Sequence, residues 1–555
     1  MRVSPLLLLL LACAKEEEKP AETPVGGDLV LESPAAGAWA AAGEAEATAT
    51  AHHVITVFVY DAEGGRHTMT TTDGERFRSP IQLTRGINVV VAEAVDERGD
   101  THFARHGVLA GDFASPHGQV EGAVQLRANQ GALDKAAELA ASYLDPATLN
   151  ASLAAVNPVY SDSYIWDTVT VNADVTNVSF GLPDVVIAPS SGRLTLTATL
   201  PDLWVDARAY ADAFGYDFDT DLALWADAAV VTGTLQVGAE DGRLAVTLED
   251  ATVELVEFGY STDLLPDWVT DYLLVETIRD TITTKIVEQI DALVPPLLEE
   301  TLGGLDPSFS TALLGTTVDL AFAFASVDVD DEGLAISLDL DVAVPESGDV
   351  TYEGYLTAGD GDPTVDTRAD LSAAVSDDLL NRLLFEAWAG GVLNLRLSTD
   401  DGSLEPALLA ALKAEQGTIA VSAALPPVVV ERDEGLLAQV GELLVTVDTP
   451  GGELGEHIVL ALAADVPLEV TVSGGELKLE LGEPTLLFEV RESDWGASNE
   501  TVTRLVEEML PLDALLLLLG DFAFPLPSLY GLAVDSGEAE RDADGVHTDV
   551  QVWLQ

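Results

Sequence analysis

The sequence predicts an α+β protein, in which a small all-β module precedes a long body of strands and apolar helices. Apolar and polar residues alternate over most of the chain, as in sheets with one face in a core and the other in water. Long apolar helical stretches occur at about Asp267 to Leu302 and at Val502 to Leu519. With 555 residues, 48% of them apolar, the chain is long enough for several domains and their cores.

The first residues predict a lipoprotein signal peptide over 1–13. A charged Arg2, an apolar run from Leu6 to Leu11 and the tetrad Leu10-Leu11-Ala12-Cys13 are typical of a secretory signal. The tetrad resembles the lipobox of bacterial lipoproteins, whose cysteine is lipidated and becomes the new N-terminus. The alternative is an ordinary cleaved signal that happens to contain a cysteine. Because Cys13 is the only cysteine, it has no partner for an internal disulfide.

The apolar run is far shorter than the ~20 residues of a membrane-spanning helix, so we expect acyl chains on Cys13 to supply the anchor. The rest of the chain then folds outside the cytoplasm. Ala14 stands where many inner-membrane lipoproteins carry aspartate, which favours the outer membrane, on either its periplasmic or its outer face. Residues 14–27 are charged, contain proline and predict a flexible acidic tether.

The net charge is extreme, with 95 acidic against 25 basic residues and a formal total of −70. Nucleic acids and anionic lipid surfaces repel such a chain, so neither is an expected partner. A solvated acidic surface is the simplest interpretation. Calcium binding is the alternative, although Asp241-Gly242 and Asp401-Gly402 are first of all turn sequences.

Residues 28–113 predict a β-sandwich. The run from Val54 to Tyr60 and the run from Ile87 to Ala92 are rich in β-branched residues, and glycines separate such runs at hairpin spacing. The segment resembles small bacterial immunoglobulin-like modules through Glu32 to Gly37 and Arg85 to Asn88, which implies a spacer or binding role without chemistry. Six of the eight histidines lie here or just after: His52, His53, His67, His102, His106 and His117.

A metal site at His52-His53 is not expected, because adjacent residues of a strand point to opposite faces.

The body divides into two similar halves, 129–345 and 346–555. In the first half a helical stretch, Leu133 to Val156, precedes strands, the long helix from Asp267 and two further strands. We expect Pro295-Pro296 to bend or break that helix near its end. The first-half strands are predicted at Asp167 to Phe180, Arg193 to Val205, Leu222 to Val237, Arg243 to Phe258, Thr317 to Val329 and Leu334 to Val344.

The second half repeats this order, which suggests a tandem duplication. Its first helix is predicted at Leu379 to Leu393, and its second is the apolar stretch from Val502. Strands are predicted at Thr418 to Leu425, Leu437 to Val447, His457 to Ala463, Leu468 to Val472 and Leu477 to Leu481, with a last strand ending at Leu554.

Three strings in the body resemble one family. They are Val169 to Val178, with its Thr-Asn-Val turn; Val375 to Leu393, with Val-Ser-Asp and Ala-Gly-Gly; and Phe524-Pro525-Leu526-Pro527 after a leucine-rich helix. In this order they resemble the bactericidal/permeability-increasing and lipopolysaccharide-binding proteins, the two-barrel members of the tubular lipid-binding (TULIP) superfamily. The resemblance implies an elongated body, with a first lipid-binding barrel over 129–345 and a central-sheet linker and second barrel over 346–555. Each half is then a curved sheet wrapped around an amphipathic helix, with lipid in an apolar groove, and a central sheet joins the halves.

The long helix offers an aliphatic face for such a groove. These residues recur every three or four positions: Val275, Ile278, Ile282, Ile286, Ile290, Leu293 and Leu297, while Glu276, Asp280, Thr284 and Asp291 take the other side. Packing as core is the alternative for each of them. If the face lines a groove, Ile282→Asp or Ile286→Asp reduces lipid recovery more than it lowers the melting temperature.

The chain departs from the family in two respects. Animal members have a disulfide in the first barrel, and here no cysteine is available for one. Members that bind lipopolysaccharide use a basic tip, whereas this body has only about fifteen Lys and Arg. We therefore expect a phospholipid or a neutral acyl lipid rather than lipopolysaccharide.

No catalytic role is expected. The sequence contains no Gly-x-Ser-x-Gly, His-Glu-x-x-His or phosphate-loop string, and the body holds only His457 and His547. No cofactor is implied. The leading interpretation is a membrane-anchored lipoprotein that binds lipids, with lipid transfer left open beside binding and no protein partner indicated. The alternative is a surface adhesion or structural lipoprotein whose immunoglobulin-like module is the binding or spacer unit.

Overall fold

The computed structural model describes residues 29–62, 64–164, 169–213, 216–262, 274–303, 308–313, 316–343, 353–359, 361, 363, 365, 368–404, 409–410, 412–433, 435–473, 476–495, 523–525 and 534–554. The predicted signal peptide with Cys13, the tether 14–27, the predicted helix 502–519 and the end of the string at 526–527 lie outside the described residues.

The N-terminal region forms two sheets that share one core. Its strands are β1 (Val30–Ser33), β2 (Ala38–Ala40), β3 (Gly43–Thr50), β4 (Val54–Tyr60), β5 (Arg66–Thr68), β6 (Thr70–Thr71), β7 (Arg76–Leu83), β8 (Gly86–Asp96) and β9 (Thr101–Ala110). The sheet orders are β1-β3-β7-β6 and β2-β9-β8-β4-β5. Alternation along β4 explains the packing, because Val57 and Val59 enter the core while Phe58 and Tyr60 face outward. We call this unit the N-terminal sandwich.

A first long sheet and three helices follow. The helices are α1 (Gln130–Tyr143), α2 (Pro146–Ala154) and α3 (Val275–Gly303). The strands are β12 (Tyr160–Tyr164), β13 (Val169–Ser179), β14 (Asp184–Ser190), β15 (Arg193–Ala213), β16 (Tyr216–Glu240), β17 (Arg243–Val256) and β18 (Gly259–Thr262). Their order is β12-β13-β15-β16-β17, with β14 on β15 and β18 on β16. The helices pack on the face of this sheet that carries the largest core.

A second long sheet holds most of the C-terminal half. It follows helix α4 (Asp377–Ala389) and contains β24 (Leu395–Ser398), β25 (Thr418–Ala423), β26 (Val428–Arg432), β27 (Gly435–Asp448), β28 (His457–Ser473), β29 (Glu476–Leu481), β30 (Thr485–Ser493) and β31 (Ala523–Pro525). The order is β24-β25-β27-β28-β29-β31, with β26 on β27 and β30 on β28.

A central antiparallel sheet joins the halves. Its order is β19-β20-β21-β11-β23-β33-β32, formed by β11 (Val120–Asn129), β19 (Ser308–Leu313), β20 (Thr316–Val329), β21 (Gly333–Ala343), β23 (Leu371–Ser376), β32 (Val534–Arg541) and β33 (His547–Leu554). A short pair, β10 (Phe113–Ala114) with β22 (Tyr355–Leu356), lies apart from it.

The two halves have equivalent topologies. In each, a strand of the central sheet leads into a helix (β11 into α1, β23 into α4), and β11 and β23 pair with each other antiparallel. Each long sheet then has one long hairpin, β15-β16 or β27-β28, on which the other described strands pair in the same way, except that β31 extends the second sheet beyond β29. Each half contributes a further hairpin to the central sheet, β20-β21 or β32-β33. This equivalence agrees with the tandem duplication expected from the sequence.

Several predicted boundaries differ from the structure. The helical stretch from Leu133 is two helices, because Asp145 caps the second one by accepting from the Ala147 N–H and Pro146 occupies its first turn. Helix α3 is not broken at Pro295-Pro296 and continues to Gly303. Burial of Val294 and Leu298, on either side of the prolines, offsets the backbone hydrogen bonds that they remove.

Candidate functional site

The apolar face of α3 lies in the largest core of the molecule. Of the residues predicted to line a lipid groove, Val275, Ile278, Ile282, Ile286 and Ile290 are buried, and Leu293 is half-buried. Leu297 is buried as well. The structure thus brings the predicted face together against β16 and β17, with most of its side chains packed and one at the margin.

A half-buried apolar margin continues this core between α3 and the edge strand β17. Early in β17, Leu244 and Val246 are buried, but later the inward side chains are only partly covered. We call these residues the α3 seam: Leu248, Val253 and Leu255 of β17 with Val287 and Leu293 of α3, all packed against the largest core. Unlike the fully packed face, the seam is both apolar and partly accessible.

The C-terminal part of α3 is fixed to the β17 edge. Among the described strands β17 pairs only with β16. The Val246 N–H donates to Glu299 Oε1 of α3 at 2.8 Å. This bond closes the edge near the start of β17, and the partly covered residues lie beyond it.

The opposite side of α3 is polar, as the sequence predicted, and lines an open cavity of about 410 Å³. Glu276, Asp280, Thr284 and Asp291 are exposed. The cavity wall consists of Val156, Val159, Thr277, Asp280, Thr281, Thr284, Lys285 and Glu288. Hydroxyl and charged groups dominate this wall, so it does not suit an acyl chain.

The string Val375 to Leu384 builds the junction between the halves, and each polar residue in it has a structural partner. Ser376 caps α4 by accepting from the Asp378 N–H at 3.1 Å. Asn381 pairs twice with the Val429 backbone, donating to its carbonyl at 3.1 Å and accepting from its N–H at 2.6 Å. Arg382 lies 2.8 Å from Glu386, and both side chains are buried. These polar residues therefore hold α4 in place.

Asp377 forms an ion pair that the sequence did not indicate. Arg541, at the end of β32, donates to Asp377 Oδ1 at 2.8 Å and to Oδ2 at 2.5 Å. It also donates to Glu431 Oε2 at 2.9 Å. Burial raises the pKa of the Asp377 carboxyl in spite of this pairing. No sequence signal links positions 164 residues apart, because only the central sheet brings them together.

The N-terminal sandwich is joined to the second long sheet by carboxylates. Strand β2 covers only residues 108–110 of β9, which leaves the N–H groups of Arg105 and Gly107 without a neighbouring strand. Glu489 Oε1 accepts from the Arg105 N–H at 2.8 Å, and Glu442 Oε1 accepts from the Gly107 N–H at 2.5 Å. Glu442 is buried and also accepts from Arg491 Nη2 at 2.8 Å. The contact replaces a missing strand.

Replacing Glu442 by alanine is expected to loosen this contact. The change leaves the Gly107 N–H without its acceptor, while Arg491 keeps its other carboxylate, Glu489, at 3.0 Å. An unsatisfied buried donor costs about 1–3 kcal/mol. Amide hydrogen exchange at Gly107 should accelerate accordingly. Glu44→Ala, at an exposed position of β3, is the control. Equal exchange at Gly107 in both variants would contradict the assignment.

The described residues contain no cluster of three or more His, Cys, Asp and Glu side chains suited to a metal ion. His52 and His53 lie in the turn between β3 and β4 rather than in a strand, and His53 has φ +58°. Asp241-Gly242, the turn of the β16-β17 hairpin, has positive φ at both residues, as a two-residue hairpin turn requires. No described helix is long and apolar enough to span a membrane.

Comparisons with known proteins give only distant similarities. No family model and no curated protein sequence matches the chain. The chain is similar to the crystal structure of lipopolysaccharide binding protein, at 14% identity and a TM-score of 0.43, over 78% of this chain and 99% of that one.

Two further similarities are partial. An engineered protein matches at 23% identity and a TM-score of 0.15, over 16% of this chain and 21% of that one. Fibronectin(III)-like modules of Clostridium thermocellum CbhA match at 11% identity and a TM-score of 0.14, over 42% of this chain and 92% of that one.

Proposed function

We propose that this chain is a lipoprotein that binds lipid through the α3 seam. It is anchored by acyl chains on Cys13 to the outer membrane of a bacterium, and it contributes no catalysis. Its body is a two-barrel TULIP-like body, and its N-terminal sandwich is an immunoglobulin-like module.

The observation that carries this proposal is the combination of apolarity and accessibility in the α3 seam. An acyl chain is held by burial alone, at about 0.8 kcal/mol per methylene, and needs no polar group along its length. Leu248, Val253, Leu255, Val287 and Leu293 supply such a lining next to a core that is already aliphatic. Because these side chains are only partly covered, a ligand can reach them from outside.

The charge of the chain supports the choice of lipid. With a net charge of −70, an anionic headgroup such as that of lipopolysaccharide meets repulsion and few basic partners. Near the seam, Arg279 of α3 is already paired with Asp280 at 3.1 Å. A zwitterionic phospholipid or a neutral acyl lipid therefore suits the surroundings.

The contact between the N-terminal sandwich and the second long sheet argues against the alternative in which this module is only a spacer. A spacer module has few contacts with the next domain, whereas here side chains of β27 and β30 complete the hydrogen bonding of β9. The module thus stabilises the body.

Native mass spectrometry of protein made without residues 1–13 tests lipid binding, because the anchor's own acyl chains are then absent. We expect lipid at a fixed stoichiometry. Leu255→Gln should lower the bound fraction several-fold, since a bound acyl chain would then have to bury a polar amide in the seam. Val256→Gln is the matched control, because Val256 is the next residue and faces the outside of the same strand.

Protein that is repeatedly recovered folded and without lipid would overturn the proposal. An equal loss of lipid in both variants would place the site elsewhere. Mass spectrometry of the mature N-terminus tests the anchor separately, and an unmodified or absent Cys13 would contradict it.

A further inference from the structure

Two tryptophans on the outer face of the first long sheet form a rigid, partly exposed pair. Trp204 of β15 and Trp225 of β16 are cross-strand partners. Their rings are stacked, with centroids 5.8 Å apart and planes inclined by 16°. Trp204 is 43% exposed, an unusual state for so large an aromatic side chain.

The neighbouring strands leave room for these rings. Trp225 faces Gly259 of β18, and a Cβ at Gly259 would lie 2.6–2.7 Å from the indole ring. On the other side Trp204 faces Ser179 of β13, a small residue. The row Ser179–Trp204–Trp225–Gly259 therefore has one indole packed on backbone and one with an accessible side.

Trp204 is hydrogen-bonded to one polar group and has others around it. Its Nε1 donates to Asp206 Oδ1 at 2.8 Å, and the other oxygen of Asp206 accepts from Asn177 Nδ2 at 3.3 Å. Asp202 and Asp227, at the next outward positions along the two strands, are exposed. A flat apolar surface is thus bordered by hydrogen-bond acceptors and negative charge.

We propose that this tryptophan pair, with Asp206 and Asn177, is a binding subsite for one pyranose ring of a neutral oligosaccharide whose hydroxyls are equatorial. The C–H face of a pyranose with equatorial hydroxyls is flat and apolar and stacks on an indole, while its edge hydroxyls donate to carboxylates. The acidic border disfavours anionic sugars and anionic membranes. Because the rings stack on each other, only Trp204 offers a free face, so a single subsite of millimolar affinity is expected.

Titration of the full chain with cellohexaose and with chitohexaose tests this subsite, with tryptophan fluorescence as the measured signal. We expect saturable quenching by at least one of them and a tenfold or greater loss of affinity in Trp204→Ala. Gly259→Ala, which displaces Trp225 without touching Trp204 directly, should also weaken binding. Tyr143→Ala, an exposed aromatic position on α1, should bind like the wild type.

Three results would overturn the proposal: no saturable binding of either hexasaccharide, unchanged binding in Trp204→Ala with a native circular dichroism spectrum, or Trp204-dependent adsorption to phosphatidylcholine vesicles in place of sugar binding. The subsite lies on the outer face of the sheet and is independent of the α3 seam, so the lipid content of each variant should equal that of the wild type.

Discussion

Arg541→Ala is expected to lower the free energy of unfolding by about 3–5 kcal/mol, because it leaves a buried carboxylate without its cation. The Asp377 side chain is fully buried, and the Arg541 guanidinium donates a hydrogen bond to each of its two carboxylate oxygens. The same arginine donates to Glu431, Thr548 and the Gly545 carbonyl, so its loss also loosens the β32-β33 hairpin. Urea unfolding of the full chain measures the effect.

This deficit should depend on pH. Burial raises the pKa of Asp377, so without Arg541 the folded state accepts a proton there more readily than the unfolded state does. The folded variant therefore gains stability, relative to wild type, as the pH falls through that pKa, and loses it as the pH rises. A deficit that is the same at neutral and acid pH would contradict this account.

Arg279→Ala is the matched control for Arg541→Ala. Arg279 also pairs with carboxylates, Glu276 at 3.6 Å and Asp280 at 3.1 Å, but its side chain is 40% exposed. Pairs of this kind are worth about 0–1 kcal/mol because water screens both charges. A similar loss in the two variants would mean that the burial of Asp377 has no special role.

Ile286→Ala is expected to cost about 2–5 kcal/mol, and Ile286→Asp to prevent folding of the first half. This is the result that packing as core, the alternative left open by the sequence, predicts for Ile282 and Ile286. Both are buried to within 2% exposure in the core between α3 and the sheet, so a carboxylate there has neither water nor a partner. Thermal unfolding and soluble yield measure the two effects.

Thr284→Ala on the exposed side of the same helix is the control and should change stability by less than about 0.5 kcal/mol. Lipid content separates packing from binding: folded Ile286→Ala should retain lipid that Leu255→Gln loses. Loss of lipid in Ile286→Ala at unchanged stability would instead mean that this face of α3 lines a lipid groove.

The sequence predicted the architecture better than the roles of individual residues. Alternation and helical periodicity located most strands, the long helix and the two similar halves, since these patterns report on which face is buried. Strand β15 was expected to end near Val205 but continues to Ala213. The segment Asp206 to Ala213 is rich in alanine, a helix former, and its pairing with β16 along the hairpin overrides that local preference.

Long-range partners could not be predicted. The pairing of Asp377 with Arg541, and that of Glu442 with the Gly107 backbone, join residues from distant parts of the chain. With 95 acidic residues, the sequence gives no reason to select these two. The start of α2 was also missed, although an Asp-Pro pair such as Asp145-Pro146 is a typical helix start and could have predicted it.

The pairing of β11 with β23 determines the order in which the chain can complete its fold. When the first half emerges from the ribosome or crosses a membrane, β21 already covers one edge of β11, but the other edge stays open until residues 371–376 arrive. Strand β23 in turn waits for β33 at residues 547–554. The nascent protein therefore carries an open strand edge through most of its synthesis, and an open edge is a site at which another chain can pair and aggregate.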